Sequence, residues 1–302
     1  MGVWNKMLSF NVNYAVLAIV GGVIGFSIKS IFIKLAYLHG IDIWVLIGYR
    51  MMISMPFFIL ALFIFRQKND KQKHGIKGVL FCSILYSVSS WSDIVGLKMV
   101  SVNTERIILF TIPVFVLLIS SVFMGIKYNK KAYIAVIFSW IGIAVSFYNR
   151  GGNTDTDESM LGVLLIFFSS ITNAIYFILS GEEMKRMGVV VFNAKVMILS
   201  CLLSMIPVLF MVDVKTASLS FSSQLIYPVC LAIFSTVLPS FFMMYGVKRC
   251  GAATTAVFNN IGPFITMLCG YFILHESIKT QDIIGMIIVL SSVLYVNKMK
   301  LV

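Results

Sequence analysis

The sequence predicts an all-α polytopic membrane protein: ten transmembrane helices arranged as two inverted-topology five-helix repeats. Composition, the lengths of the apolar runs and an internal self-similarity carry that expectation. Hydrophobic residues make up 59% of the 302 residues and charged residues 12%, against roughly 45–50% and about 25% in soluble domains. So much apolar side chain does not fit under a water-facing surface, so lipid is the expected solvent. Residues 251–276, GAATTAVFNNIGPFITMLCGYFILHE, overlay residues 101–126, SVNTERIILFTIPVFVLLISSVFMGI, at an ungapped shift of 150 residues. That shift puts Pro263 on Pro113, Thr254 on Thr104, and Ser240, Gly246 and Lys248 on Ser90, Gly96 and Lys98. Proline, glycine and lysine are uncommon inside apolar runs, so these pairs weigh more than matched isoleucines. The chain reads as two copies of one unit, 1–150 and 151–302.

A span needs about 20 mostly apolar residues to cross a hydrocarbon core of about 30 Å. Taken in order, that length gives spans at 14–36, 43–65, 76–98, 103–123, 131–148, 160–180, 190–211, 222–246, 252–273 and 281–298. The first is longer than the apolar core of a secretory signal, about 7–15 residues, and carries Lys29 and Lys34. It reads as a permanent span. Little sequence is left over for a soluble domain.

The net charge of +12 is explained by its distribution. With the N-terminus cytoplasmic, the inner segments hold Lys6, the cluster Arg66, Lys68, Lys71, Lys73 and Lys77, then Lys127, Lys130, Lys131, Lys185, Arg186, Lys248, Arg249, Lys298 and Lys300. The outer segments hold Lys98, Arg150, Lys215 and Lys279. Short-loop Lys and Arg set orientation, so both termini are expected inside. The surplus is a topology signal with some attraction for anionic inner-leaflet lipid, and nucleic-acid binding has no support. Cys82, Cys201, Cys230, Cys250 and Cys269 are odd in number and lack CxxC spacing, so neither a disulfide framework, a metal site nor a cofactor is expected.

Five spans per half is an odd number, so equivalent residues of the halves face opposite sides of the membrane. Lys98 ends span three outside while Lys248 ends span eight inside. Such inverted repeats suit transporters, because exchanging the roles of the halves gives one conformation open to each side, with a substrate site near the midplane.

Several short motifs resemble the EamA family of the drug/metabolite transporter superfamily. They are Lys34-Leu35-Ala36 ending span one, Tyr49-Arg50 in span two, Pro113-Val114-Phe115 and Pro263-Phe264 in spans four and nine, and His275-Glu276-Ser277-Ile278 with Gly285 beyond. The resemblance covers almost the whole chain. It implies a ten-span exporter or exchanger of amino acids or similar compounds in a bacterial cytoplasmic (inner) membrane, acting as a monomer or homodimer. The family's Gly-Glu pair after spans four and nine is intact in neither half, which reads Gly125-Ile126 and His275-Glu276. Glu276 is expected in a surface loop or cap, without a transport role.

Ionisable groups inside spans cost about 2.5–3.5 kcal/mol each near a helix centre on insertion scales, so they narrow the search for a site. Arg50 lies about seven residues into span two, about 10 Å deep. Asp93 lies inside the outer end of span three and Lys29 inside span one. The simplest arrangement pairs Asp93 with Arg50 or Lys29 and leaves one cation for an anionic group of a substrate; a closed ion-pair network pinning spans one to four is the alternative. Lys34, Glu105 and Arg106, nearer the outer surface, are candidates for gating or coupling. Lys195 is expected to snorkel to the cytoplasmic interface.

Polar residues at helical spacing add Ser169, Asn173, Tyr176 and Ser180 in span six, Ser83, Tyr86, Ser87 and Ser90 in span three, and Thr255, Asn259 and Thr266 in span nine. Close packing explains most of the small ones. Asn259 and Asn260 stand near Pro263, whose ring frees a backbone carbonyl one turn back. Trp91, Phe241 and Tyr245 are candidates for an aromatic wall. The substrate-binding set is therefore Lys29, Arg50, Tyr86, Trp91, Asp93, Asn173, Tyr176, Tyr245, Asn259 and Asn260. Three functions fit: a secondary transporter coupled to protons or a counter-substrate, a channel-like facilitator, and an intramembrane enzyme. No HExxH, GxSxG or P-loop supports the last or an ATP drive.

Overall fold

The computed structural model describes residues 2–65, 76–125, 130–147, 159–212, 225–259 and 261–300. Among these residues all regular structure is helical. Helices α1 (Gly2–Ser27) and α2 (Lys29–Leu38) make span one, followed by α3 (Ile43–Phe65) and α4 (Ile76–Met99). Span four is α5 (Val102–Leu109) with α6 (Ile112–Met124), and span five is α7 (Lys130–Phe147). The second half runs through α8 (Met160–Met187), α9 (Val189–Met211), α10 (Ile226–Ala232), a π-helical turn (Ile233–Val237), α11 (Leu238–Asn259), α12 (Gly262–Leu274) and α13 (Thr280–Lys300). Seven stretches are long and apolar enough to cross a membrane on their own, and the apolar parts of α12 and α13 are shorter. With the 18-residue α7 they give the ten-span order read from the sequence.

Local chemistry explains the interruptions. Pro113 and Pro263 occupy the first turn of α6 and α12, where a missing N–H costs nothing. Ahead of Pro113 the chain passes through Phe110 and Thr111, and the Thr111 hydroxyl donates to Ile108 O at 2.6 Å. Helix α5 starts on Ser101, whose Oγ accepts from Thr104 N at 3.2 Å, an N-cap read straight from Ser-x-x-Thr. The C-caps of α6 and α12 fall on Gly125 (φ 65°) and His275 (φ 55°), 150 residues apart. Both adopt the left-handed conformation, so the second repeat places a histidine where the first has a glycine.

Spans eight and nine depart from expectation. No helix break separates them at 247–251, because α11 covers the end of one and the start of the other. A Cβ on Gly246 would meet Ile19 Cγ1 at 2.3 Å and Thr255 Oγ1 at 3.5 Å, whereas straight helix from 246 to 255 would extend about 13.5 Å. The chain therefore doubles back while keeping helical hydrogen bonding. Span six also runs on to Met187, beyond the expected end at 180.

Helix α4 packs along α8, α11 along α1, α3 along α9, and α7 along α13. Exchanging the two halves maps this set of pairs onto itself: three with six becomes eight with one, while two with seven and five with ten are unchanged. Loops sort by face in the same way. On the face away from the chain termini, Ser159 N donates to Met99 O at 3.1 Å, Val102 N to Glu276 Oε1 at 3.1 Å, and the Tyr227 hydroxyl meets His39 Nε2 at 3.0 Å. On the opposite face the start of α4 abuts the end of α8, Gly78 against Glu183. Span three thus begins on the face where span eight ends, which is inverted topology.

Serine and glycine make these contacts possible. Ser89 Oγ donates to Ser169 O at 3.1 Å and Ser169 Oγ to Ser89 O at 2.9 Å, tying α4 to α8. Ser200 Oγ donates to Ser83 O at 3.2 Å, tying α9 to α4. In α1, a Cβ on Gly25 would lie 2.3 Å from Pro239 Cγ and 2.6 Å from Phe234 O, so span eight crosses span one backbone to backbone. Gly25→Ala is expected to lower stability in detergent by about 1–3 kcal/mol, read by thermal unfolding, while Gly181→Ala, with open space around it, stays at wild type. His275→Gly is expected to raise stability by about 1 kcal/mol in the same assay, by relieving a left-handed residue that carries a Cβ.

Candidate functional site

Span one is broken where its charged residues begin. The Ser27 hydroxyl donates back to Val23 O at 2.7 Å, a bond that competes with the helical ladder and bends helices. Ile28 forms the turn, and Lys29 opens α2. In lipid the carbonyls at such a break must be served from within the protein. Arg106 Nη2 on α5 reaches Phe26 O at 3.2 Å, Ser27 O at 3.4 Å and Ser30 Oγ at 2.7 Å. Thr266 Oγ1 on α12 donates to Ser27 O at 2.9 Å. One side chain from span four and one from span nine therefore hold the break.

Two ion pairs stand beside it. Lys29 Nζ pairs directly with Asp93 Oδ2 on α4. Glu105, fully buried, lies with Oε2 3.6 Å from Arg106 Nε, beyond ordinary hydrogen-bond reach. Arg50, 3% exposed, is held differently: Nε donates to Thr236 Oγ1 at 2.9 Å and Nη1 contacts Ser90 Oγ at 3.4 Å. No carboxylate of the described residues lies within 4.0 Å of its guanidinium. Thr236 sits in the π turn, where its Oγ1 also donates to Leu231 O at 3.0 Å; π-bulges of this kind recur at functional sites. Asp93 Oδ1 is buried and accepts no hydrogen bond.

Above the cluster the described residues are packed together. The largest apolar core gathers Ile33, Leu46, Ile47, Ile94, Leu97 and Leu231 from spans one, two, three and eight. The Tyr37 hydroxyl donates to Ile94 O at 2.9 Å and Trp91 Nε1 to Ser204 Oγ at 3.3 Å, linking span three to spans one and seven. Toward the other face a groove of about 210 Å³ opens among spans two, three, six and seven, with Lys195 on its lining. None of the charge-cluster residues lines it.

The sequence-predicted residues divide accordingly. Lys29, Arg50 and Asp93 come together with Glu105 and Arg106, and Lys34 follows on α2, partly exposed. Glu105 is fully buried, with Lys29 and Ser30 of span one and Asp93 of span three beside it. Tyr86 and Tyr176 form an edge-to-face pair, ring centroids 5.8 Å apart, inside an apolar cluster with Val79, Cys82, Phe192 and Val196. They lie apart from the charges. Asn173 is partly exposed on α8 one turn earlier. The aromatic wall does not form: Trp91 packs in the outer core, Phe241 stacks on Phe58 at 5.8 Å, and Tyr245 faces Arg249 at 5.6 Å. The Asn259 side chain and Asn260 lie outside the described residues. Sequence reasoning missed Ser30 and Thr236. Ser30 stands four residues before Lys34 on the helical face of the charges, a usable signal, but no pattern in the sequence announces the π turn that aims Thr236.

A doubled five-span unit, inverted about a pseudo-two-fold and carrying buried charges at a broken helix, is the architecture of a membrane transporter. The chain belongs to the EamA-like transporter family, whose profile matches residues 13–148 and 160–298. It is 29% identical over 281 residues to the uncharacterized transporter YcbK of Bacillus subtilis, covering 87% of this chain and 86% of that one. It is 24% identical to a WAT1-related protein of Arabidopsis thaliana, covering 87% and 83%, and 22% identical to an S-adenosylmethionine uptake transporter of Rickettsia bellii, covering 74% and 71%. A solved crystal structure shares the fold at 15% identity with a TM-score of 0.59, over 93% of this chain and 95% of that chain.

Breaking the Lys29–Asp93 pair leaves a buried charge without its partner. Asp93→Asn is expected to lower stability by about 3 kcal/mol, and the charge-swapped double variant Lys29→Asp/Asp93→Lys to recover part of that loss. Thermal unfolding of the three proteins in one detergent checks this.

Proposed function

We propose that this protein is a secondary transporter moving a small zwitterionic metabolite, an amino acid or similar compound, across a bacterial cytoplasmic membrane by alternating access. Its termini lie in the cytoplasm, and it performs no chemistry on its cargo. One observation carries the substrate class: a buried guanidinium without a carboxylate stands one helical turn from a buried carboxylate oxygen without a donor. Arg50 contacts Ser90, and Asp93 follows Ser90 by three residues on α4; side chains so spaced lie about 5–6 Å apart at Cβ. A guanidinium and a carboxylate on neighbouring turns of one cluster suit the carboxylate and ammonium of one α-amino acid, each with a charge-assisted hydrogen bond. S-adenosylmethionine, named for the Rickettsia relative, carries the same two groups. The basic surplus on the terminus-bearing face supports the orientation.

The conformation described is closed on the far face. The bonds Tyr37–Ile94, Trp91–Ser204 and His39–Tyr227 join spans one, three, seven and eight on that side of the cluster, and opening there would break them. In the pseudo-symmetric alternative the halves exchange roles, and the grooved face closes instead. Movement of span one past span three would part Lys29 from Asp93 and free both Asp93 oxygens for an incoming ammonium group.

Counterflow with purified protein in proteoliposomes tests the reading. Vesicles preloaded with each of the twenty amino acids or with S-adenosylmethionine should accumulate the labelled form of one of them. Arg50→Ala should lower that rate by tenfold or more, the loss of a charge-assisted hydrogen bond worth about 1.5–3 kcal/mol, with the protein still folded. Wild-type rates in Arg50→Ala, or flux linear in concentration without counterflow, would overturn it in favour of a structural arginine or a channel.

A further inference from the structure

Glu105 has no part in binding cargo on the reading above, yet it is the most deeply buried charge of the cluster. Neither of its oxygens receives a hydrogen bond of ordinary geometry, and Asp93 Oδ1 nearby is in the same position. The donor supply explains this. Arg106 Nη2 is committed to Phe26 O, Ser27 O and Ser30 Oγ, and its Nε stays 3.6 Å from Glu105. Lys29 is committed to Asp93. Glu105 Oε1 and Oε2 and Asp93 Oδ1 are therefore left without a seated donor, although Arg106 Nε and the Ser30 hydroxyl stand close by. A proton bound to Glu105 places a donor among them, because a protonated carboxyl both donates and accepts.

Addition and removal of that proton leave the scaffold intact. Arg106 holds the broken span through Nη2, so neutralising Glu105 orphans none of the carbonyls at the break. The groups facing Glu105 are Arg106 on its own helix, Asp93 on α4, and Lys29 with the Ser30 hydroxyl on α2. Helices α7, α8, α12 and α13 also pack on α5, but among the described residues the charges bearing on Glu105 come from Arg106, Asp93 and Lys29. Asp282 on α13 is engaged instead with the Lys279 N–H, at 3.3 Å. Glu105 thus senses whether Lys29 and Asp93 are paired: parting them for cargo changes the charge around it.

We propose that Glu105 is the proton carrier of this transporter, forming an O–H bond with a proton from one side of the membrane and releasing it to water on the other as the halves exchange. The inference rests on the transport reading for its coupling, but not for the proton site itself. Two measurements separate them. Infrared difference spectra of the reconstituted protein between alkaline and acid buffer, with no solute present, should show the C=O stretch of a buried carboxylic acid. That band should disappear in Glu105→Gln and shift in Glu105→Asp. In pyranine-loaded proteoliposomes, a gradient of the amino-acid mixture should move protons, and Glu105→Gln should reduce that movement by about tenfold or more. A band unchanged in Glu105→Gln, or absent from the wild type, overturns the site. Counterflow by the wild type with no proton movement overturns the coupling. Failure of the wild type to show any counterflow at equal pH sinks the transport reading instead, and the infrared result still decides the site.

Discussion

Lipid offers no hydrogen bonds, so a helix that breaks inside the membrane must have its exposed carbonyls met by side chains from its neighbours. The break at Ile28 shows what this demands of the rest of the chain. Arg106 from span four and Thr266 from span nine converge on Phe26 and Ser27, and these two helices stand at equivalent places in the two repeats. Ser30, two residues past the break, accepts from the same guanidinium. The interruption therefore gathers both halves around one point, and the charged residues sit at that point because the backbone there already requires donors.

Charge balance follows from this arrangement. Lys29, Asp93, Glu105 and Arg106 sum to zero, which makes their joint burial tolerable, since buried charges are costly unless paired. Arg50 stands outside the balance. It is kept in place by the hydroxyls of Ser90 and Thr236, acceptors that orient a guanidinium without neutralising it. An oriented positive charge at depth, held by hydroxyls alone, is what the proposed binding of an anionic group would use.

The repeat also explains why so many polar residues are structural. Ser83, Ser89, Ser169 and Ser200 donate their hydroxyls to carbonyls of facing helices, and Gly96 and Gly162 each leave room for the other's backbone. Helices held together in lipid by packing and interhelical hydrogen bonds need close approach, which small residues allow. The same serine stripe on α4 ends at Ser90 and Asp93, so one helix face changes from packing to charge within about a turn. Periodicity shows that face but not where packing stops and the site begins.

Composition, run length and the 150-residue self-similarity determined the class, the ten spans and the inverted pairing of the halves, because a solvent without hydrogen bonds restricts the chain to long apolar helices and an odd number of spans per repeat inverts the second copy. Buried charges were legible too, since a lysine, arginine or carboxylate in lipid stands out against any background. Tertiary structure alone decided their partners. Whether Asp93 meets Lys29 or Arg50 depends on the rotation of three helices about their axes; that the Ser27 carbonyl at the break is met depends on Thr266 of span nine, far along the chain; and the π turn that presents Thr236 follows from a hydrogen-bond register that residue types do not specify. Aromatic residues misled for the same reason: Trp91, Phe241 and Tyr245 suit a binding wall and a packed core equally, and only the positions of neighbouring helices distinguish the two.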